Sequence, residues 1–538
     1  MRVVTDRETF VATASDALAG ADRSAQSRAS RLRVPVELRV RVDPFDAYRR
    51  ARDGDHCVFL ETSGGAEGWG YLATDPVSTT TVSSDAAALP VLERLLDDTR
   101  LARGDCTVPY PCGLFGWLSY DVARELEDLP THAVRDTPYP HLEVGTFDRV
   151  ATWRDPHDGE TEVRVTACPV VHGAADAADA PEATDRGDTA SLEAAYDRGL
   201  ERARDLVEAM TEGDPAVGAP PVDAGEHEGG AAGTVEFESD CTPGEFADRV
   251  RTIKRAIRDG ETFQTNVSQR LRAPAAVHPV DAYAALREVN PAPYSALVEF
   301  PSCDLVSASP ELLLHAEPVG ESGAGDSESD DESGGTRLLT EPIAGTRPRG
   351  ATPEEDDALE AELLGDEKER AEHAMLVDLE RNDLGKVSRF GSVAVSEYRR
   401  VDRYSEVMHL VSLVEGRLRE DRTLADAVAA VFPGGTITGA PKPRTMELID
   451  EVEPTRRGPY TGSIGVFGFD DRATLNIVIR TLARPDDEYR LRVGAGIVHD
   501  SDPDAEFEET LAKGRALVKA LDTAVESRNL RVEGESDG

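Results

Sequence analysis

Residues 494–513, GAGIVHDSDPDAEFEETLAK, decide how the rest of the chain is read. A Gly-Ala-Gly turn leads through Asp-Ser-Asp-Pro into a helix pattern. Pro503 stands near the helix start, where a missing N–H costs little, and acids crowd the first turn. Glu506 and Glu509 are three apart, so they share one helix face. In an acidic chain such a pair is ordinarily a solvated face. A second copy changes the reading: DEKERAEHAMLVDLERND carries Glu369 and Glu372 at the same spacing, with Ala371, Met375, Leu376 and Leu379 in helical register. Octahedral magnesium takes one or two protein carboxylates and completes its shell with water and substrate oxygens. Two facing Glu pairs beside glycines would hold such an ion for a small carboxylate or phosphate substrate.

The 538 residues suffice for one large core or two to three domains. Acids number 103 against 59 bases, giving a formal charge of −44. That surface repels nucleic acid and anionic membranes, so neither is expected as a partner. Only six of the bases are lysine. Acid excess with little lysine suits a salt-filled cytosol, because dense carboxylates stay hydrated and salt screens their repulsion. A halophilic, cytoplasmic protein is expected. The six cysteines show no C-x-x-C and no zinc spacing with histidine, which fits reduced thiols. No signal core and no 18-residue apolar run occurs.

Composition divides the chain into a β-rich region with helices (1–170), an acidic low-complexity linker with one helix (171–235), a densely structured region (236–525) and a disordered tail (526–538). HLEVGTFDRVATWRD and TEVRVTACPVV read as paired strands, and ELLLHAEPV with RLLTEPIAGT as a hairpin around a low-complexity insert at 320–336. SEVMHLVSLVEG reads as a helix with His409 in its middle, and ATLNIVIRTLA as one strand. Adjacent strand pairs among helices give an α+β fold with mixed and antiparallel sheets packed against helices.

PIAGTRPRG (342–350) sets two arginines around a Gly-Thr turn, suited to carboxylates. GGTITGAPKPR (434–444) resembles a phosphate loop but lacks the G-K-[ST] ending. Lys442 and Lys513 stand out where lysine is otherwise avoided. Arg480 closes NIVIRT, where an anionic ligand could meet it. No G-x-S-x-G or G-x-C-x-G nucleophile is present, so the chain shows no glutaminase machinery of its own.

Together GLFGWLSYDVARELEDLP, FQTNVSQR, NPAPYSA, SASPE, PIAGTRPRG, DEKERAEHAMLVDLERNDLG, MHLVS, FPGGTITGAPKPR, RRGPYTGSIG and NIVIRT, with the opening stretch, resemble the chorismate-utilising enzymes over about residues 240–525. The first region resembles the amino-terminal part of two ammonia-using members, anthranilate synthase component I and aminodeoxychorismate synthase component I. The resemblance implies Glu372 and Glu509 as direct Mg2+ ligands, with Glu369 and Glu506 acting through water. Gly345, Thr346, Tyr460, Arg480, Gly494, Ala495, Gly496 and Lys513 match substrate-contact positions. His409 matches a general acid or orienter at the leaving 4-hydroxyl.

Members that add water carry a lysine base where this chain has Gln264, so the resemblance implies amination. Aminodeoxychorismate synthases carry a nucleophilic lysine in PIKGT, where this chain has Ala344, so ammonia must attack C2 directly. The implied activity is that of an anthranilate synthase large subunit: chorismate and ammonia to anthranilate and pyruvate, in tryptophan biosynthesis. The alternative is aminodeoxychorismate synthase component I, toward which NPAPYSA and GGTITGAPK lean. A glutamine amidotransferase subunit is the implied partner, in a heterotetramer of two large and two small subunits. An L-tryptophan inhibitor site is implied at Thr62, Pro293, Tyr294 and Ser295, with serine standing where tryptophan-sensitive members show methionine.

Overall fold

The computed structural model describes residues 1–21, 30–171, 189–222, 237–319, 335–403 and 407–534. Most of the 320–336 insert, the flanks of the 171–235 stretch and the last four residues lie outside the described residues.

Two large, predominantly antiparallel sheets dominate, of 13 and 10 strands among the described residues. Both draw strands from the two ends of the chain. In the larger sheet Cys57–Glu61 pairs with Tyr294–Phe300, setting Glu61 opposite Ser295. In the smaller, Gly113–Leu118 pairs with Ser463–Phe467. The compositional division at 171–235 therefore does not coincide with a seam between sheets. The helix within that stretch, Thr189–Glu212, is not a linker element. Leu192, Tyr196, Ala203, Leu206, Val207 and Met210 recur on one face and are buried. That stripe joins apolar clusters with Phe10, Val36 and Leu38.

Between the sheets lie Val58, Tyr71, Phe115, Trp117, Phe147, Val298 and Ile464, an interior supplied by inward-facing alternate residues of both layers. Helices Pro279–Val289 and Pro503–Gly534 cover the outer face of the larger sheet. Helices Glu367–Gly385 and Leu424–Val431 cover the smaller.

Leu312–Pro318 and Thr336–Thr340 pair as the expected hairpin, with His315 opposite Leu339. Three local readings are corrected. HLEVGTFDRVATWRD splits at Asp148: Leu142–Phe147 joins the smaller sheet, and Arg149–Asp155 pairs with Thr161–Ala167 in the larger. ATLNIVIRTLA is likewise two strands, Ala473–Asn476 and Thr481–Arg484, one in each sheet. The chain crosses between sheets at 477–480. His409 lies in strand Val407–Arg417, not in a helix. Its valines fit the pleat, and the strand pairs along both edges, overriding the apolar spacing that suggested a helix.

Candidate active site

The opening stretch lies where strand Glu488–Ile497 meets helix Pro503–Gly534. Asp502 caps that helix, accepting from the Asp504 and Ala505 amides at 3.1 and 3.0 Å. Alternation along the strand presents Gly494 and Gly496 on one face and sends the Ala495 side chain the other way, into a core with Phe246 and Val267. Ala495 can thus offer a ligand only its backbone. A methyl on Gly494 would stand 2.6 Å from both Asn266 Oδ1 and Tyr460 Oη. One on Gly496 would stand 2.6 Å from Gln264 Nε2. Only glycine leaves the floor of the site open.

Gln264 donates from Nε2 to Glu372 Oε1 at 2.8 Å. Burial pushes the Glu372 carboxyl above its ordinary value, against that hydrogen bond. Burial also raises Glu506, and the Glu509 charge adds to the shift. Lys513 bonds Glu509 at 2.8 Å and donates to the Gly494 carbonyl at 3.1 Å. Its charge is felt by Glu372, Glu506 and Glu311, so the two Glu pairs border one region. No three acidic, histidine or cysteine side chains among the described residues stand ready to cage a metal. Magnesium needs only one or two protein carboxylates, and these pairs fit that demand.

Across the region, Gly345 adopts φ +72°. A Cβ there would lie 2.8 Å from Leu363 and 3.0 Å from the Glu369 carboxylate. The register slips between Ala344 and Thr346, setting Thr346 opposite His409. Thr346 Oγ1 and His409 Nδ1 are 3.0 Å apart. Burial, with the Arg480 charge adding, pulls His409 down to about 4, so the imidazole is neutral at neutral pH.

Arg480 ends the crossover between sheets in the left-handed region, φ +49°. A non-glycine residue held there is strained, a feature found at ligand-binding positions. Among the described residues, no carboxylate lies within ion-pair distance of its guanidinium. Sequence reasoning missed its neighbour Glu311, visible only as the last letter of Ser307–Glu311. Burial pushes the Glu311 carboxyl up to about 7, against the opposing charges of Arg480 and Lys513 and a hydrogen bond from Thr436 Oγ1 at 3.3 Å. Lys442 is excluded from the site. It binds Asp383 at 2.5 Å and the Val431 carbonyl at 2.7 Å, tying its loop to helix Glu367–Gly385.

The four residues of the implied inhibitor site come together on a separate cavity of about 400 Å3. Thr62, Pro293, Tyr294 and Ser295 line it with Glu341, Arg400 and Asp402. Arg400 bonds Glu341 at 3.2 Å and Asp402 at 2.8 Å. Asp402 is the register partner of His409 on the neighbouring strand.

The model of the chorismate binding enzymes matches residues 55–519, and the chain belongs to that family. Within it, the chain is 61% identical over 528 residues to a Haloarcula marismortui protein named anthranilate synthase component 1 1, covering 98% of each. A Bacillus subtilis aminodeoxychorismate synthase component 1 is 41% identical over 78% of this chain and 79% of its own. The crystal structure of anthranilate synthase component I from Streptococcus pneumoniae superposes with a TM-score of 0.64 at 29% identity, covering 84% of this chain and 92% of that one. The α+β architecture is thus that of the chorismate-utilising enzymes. No helix among the described residues is long and apolar enough to cross a membrane.

Proposed function

We propose that this chain is the large subunit of an anthranilate synthase acting in tryptophan biosynthesis. Ammonia from a glutamine amidotransferase subunit adds at C2 of chorismate as the 4-hydroxyl leaves as water. The enolpyruvyl group then leaves as pyruvate, and the ring becomes aromatic. The observation that carries this reading is the pair Gln264 and Ala344. Gln264 is held as an amide against Glu372 and cannot deprotonate water. Ala344 is buried opposite Leu410 and offers no amine for a covalent route. High identity to a protein named anthranilate synthase component 1 supports the same reading.

Magnesium held by Glu372 and Glu509, with Glu369 and Glu506 acting through water, would neutralise the ring carboxylate of chorismate. Arg480 would bind the enolpyruvyl carboxylate, with Tyr460 and the Gly494–Gly496 backbone fixing that end. Glu311 is the better proton donor to the departing hydroxyl, because a carboxyl near 7 is protonated in about half the molecules at neutral pH and gives its proton up readily there, whereas His409 carries none to give. His409, neutral and oriented by Thr346, would hydrogen-bond the substrate in place. The cavity at Thr62 and Ser295 would take tryptophan, and Asp402 links it to the strand of His409. The acidic surface supports a cytoplasm rich in salt, and two large subunits with two small ones is the assembly we expect.

A product assay tests the reading: purified chain, chorismate, Mg2+, ammonium salt and concentrated KCl. Anthranilate with equimolar pyruvate is expected. Aminodeoxychorismate without pyruvate would transfer the chain to the folate-type branch.

A further inference from the structure

Strands Gln264–Pro274 and Glu488–Ile497 carry a row of paired residues on one face. Asn266 faces Gly496, Ser268 faces Gly494, Arg270 faces Arg492 and Arg272 faces Arg490. The row begins at the open glycines of the active site and ends in arginine. Tyr460 stands at the join. Its hydroxyl crowds Gly494, and its ring lies 5.4 Å from the Arg457 guanidinium.

Behind Tyr460 is a chamber of about 20 Å3, lined by Arg270, Arg456, Arg457, Arg490 and Arg492. Among the described residues no carboxylate lines it, in a chain with 103 acids against 59 bases. The acids that balance these arginines are not among the lining residues. Glu453 holds Arg457 at 2.7 Å and Arg492 at 3.6 Å, Asp136 holds Arg270 at 2.7 Å, and Asp486 holds Arg490 at 2.6 Å. Arg456 has no ion pair among the described residues, and its Nε is buried without a hydrogen-bond partner. Arg490 Nε is buried and unbonded as well. Burial and the neighbouring charges of Arg270 and Arg457 pull Arg492 below its ordinary value.

Buried guanidinium donors without an acceptor are costly, and of the five arginines Arg456 alone, among the described residues, lacks a carboxylate to balance its charge, which a neutral water would not supply. The free space is small, which favours a compact monovalent anion over an organic one. We propose that this chamber binds a single halide-sized monovalent anion, chloride in a KCl medium. The ion holds Arg456 and Arg457 in place behind Tyr460, and so holds Tyr460 against Gly494. Only the catalytic consequence depends on the anthranilate synthase reading; the binding does not.

The test exchanges potassium gluconate for KCl at fixed potassium and ionic strength, and follows the 35Cl NMR line width and Tm. Saturable line broadening is expected, relieved when bromide competes for the site, with a Tm rise of about 2 °C or more over gluconate. Arg456→Gln, folded by circular dichroism, should abolish both effects. A line width and Tm indifferent to chloride in the unmodified protein would overturn the proposal, as would broadening that persists in Arg456→Gln. Should that variant not fold, bromide-soaked crystals of the unmodified protein decide. An anomalous peak ringed by these guanidiniums supports the site, and its absence refutes it.

Discussion

Glu311 and His409 sit in one electrostatic neighbourhood, both under the charge of Arg480: burial leaves the His409 imidazole neutral and brings the Glu311 carboxyl to about 7, half protonated at neutral pH. Consequences for stability follow separately from those for rate. A carboxyl whose folded value of about 7 exceeds its ordinary 4.5 binds more protons folded than unfolded. Stability is therefore lost as pH rises across that window, by up to about 3 kcal/mol once the group is ionised. Glu311→Gln keeps the shape and removes this burden. We expect Tm to rise at pH 8 and to stay unchanged at pH 4.5, while kcat falls by about 10²-fold or more for want of a proton donor. A Tm gain of equal size at both pH values would show that charge is not what burdens the site. Ala344→Lys probes the opposite wall. It places an amine where the covalent route needs one, in a site built for a buried methyl. Anthranilate formation should drop at least tenfold, read as product fluorescence. Undiminished anthranilate output would remove Ala344 as the residue that directs the reaction.

The strand Ile343–Pro348 shows what an element contributes beyond its residues. Its register slips at Gly345, the bulge turns Thr346 toward His409, and the missing side chain leaves room for Glu369. Gly345→Ala would cost about 1 kcal/mol for the left-handed backbone alone and push on the Glu369 carboxylate. The expected signature is a raised magnesium requirement with an unchanged far-UV spectrum. An unaltered magnesium dependence would mean that Glu369 plays no part in holding the ion. This element also marks how far the sequence could be read. The spacing of the Glu pairs was legible because helical period is local, whereas the Gly-Thr turn read at Gly345 and Thr346 is a bulge inside a strand, set by pairing with a distant segment. The strand at His409 was not legible, since its apolar spacing suits a helix and only pairing with distant strands decides otherwise. Arg480 was visible as a residue, but its position depends on a strand breaking between two sheets, which no local pattern announces. Glu311 was hidden because burial, which gives it its proton, is a property of the assembled fold.

At the scale of the molecule, the sheets that build the site also join the two halves of the chain, so whatever loosens one half reaches the other. The charge of −44 is the main such influence. Many acids are paired with arginine, as at Arg347 with Glu362 and Asp366 or Arg403 with Asp357 and Glu360. The excess remains unmatched and repels itself across the surface. Screening reaches over about 10 Å at 0.1 M salt and contracts to about 3 Å at 1 M, so the penalty on the compact state is largely a low-salt penalty. Lowering KCl from about 2 M to 0.1 M should therefore reduce Tm by about 10 °C or more, with NaCl equivalent to KCl, since screening does not distinguish the cations. This response follows total ionic strength, whichever anion carries it. The chloride effect proposed for the arginine chamber saturates and is measured at fixed ionic strength, so the two are separable in one protein. A Tm that stays flat between 0.1 and 2 M would mean that paired arginines already neutralise the field that matters. The acid excess would then serve hydration of the surface and not the balance between folded and unfolded chain.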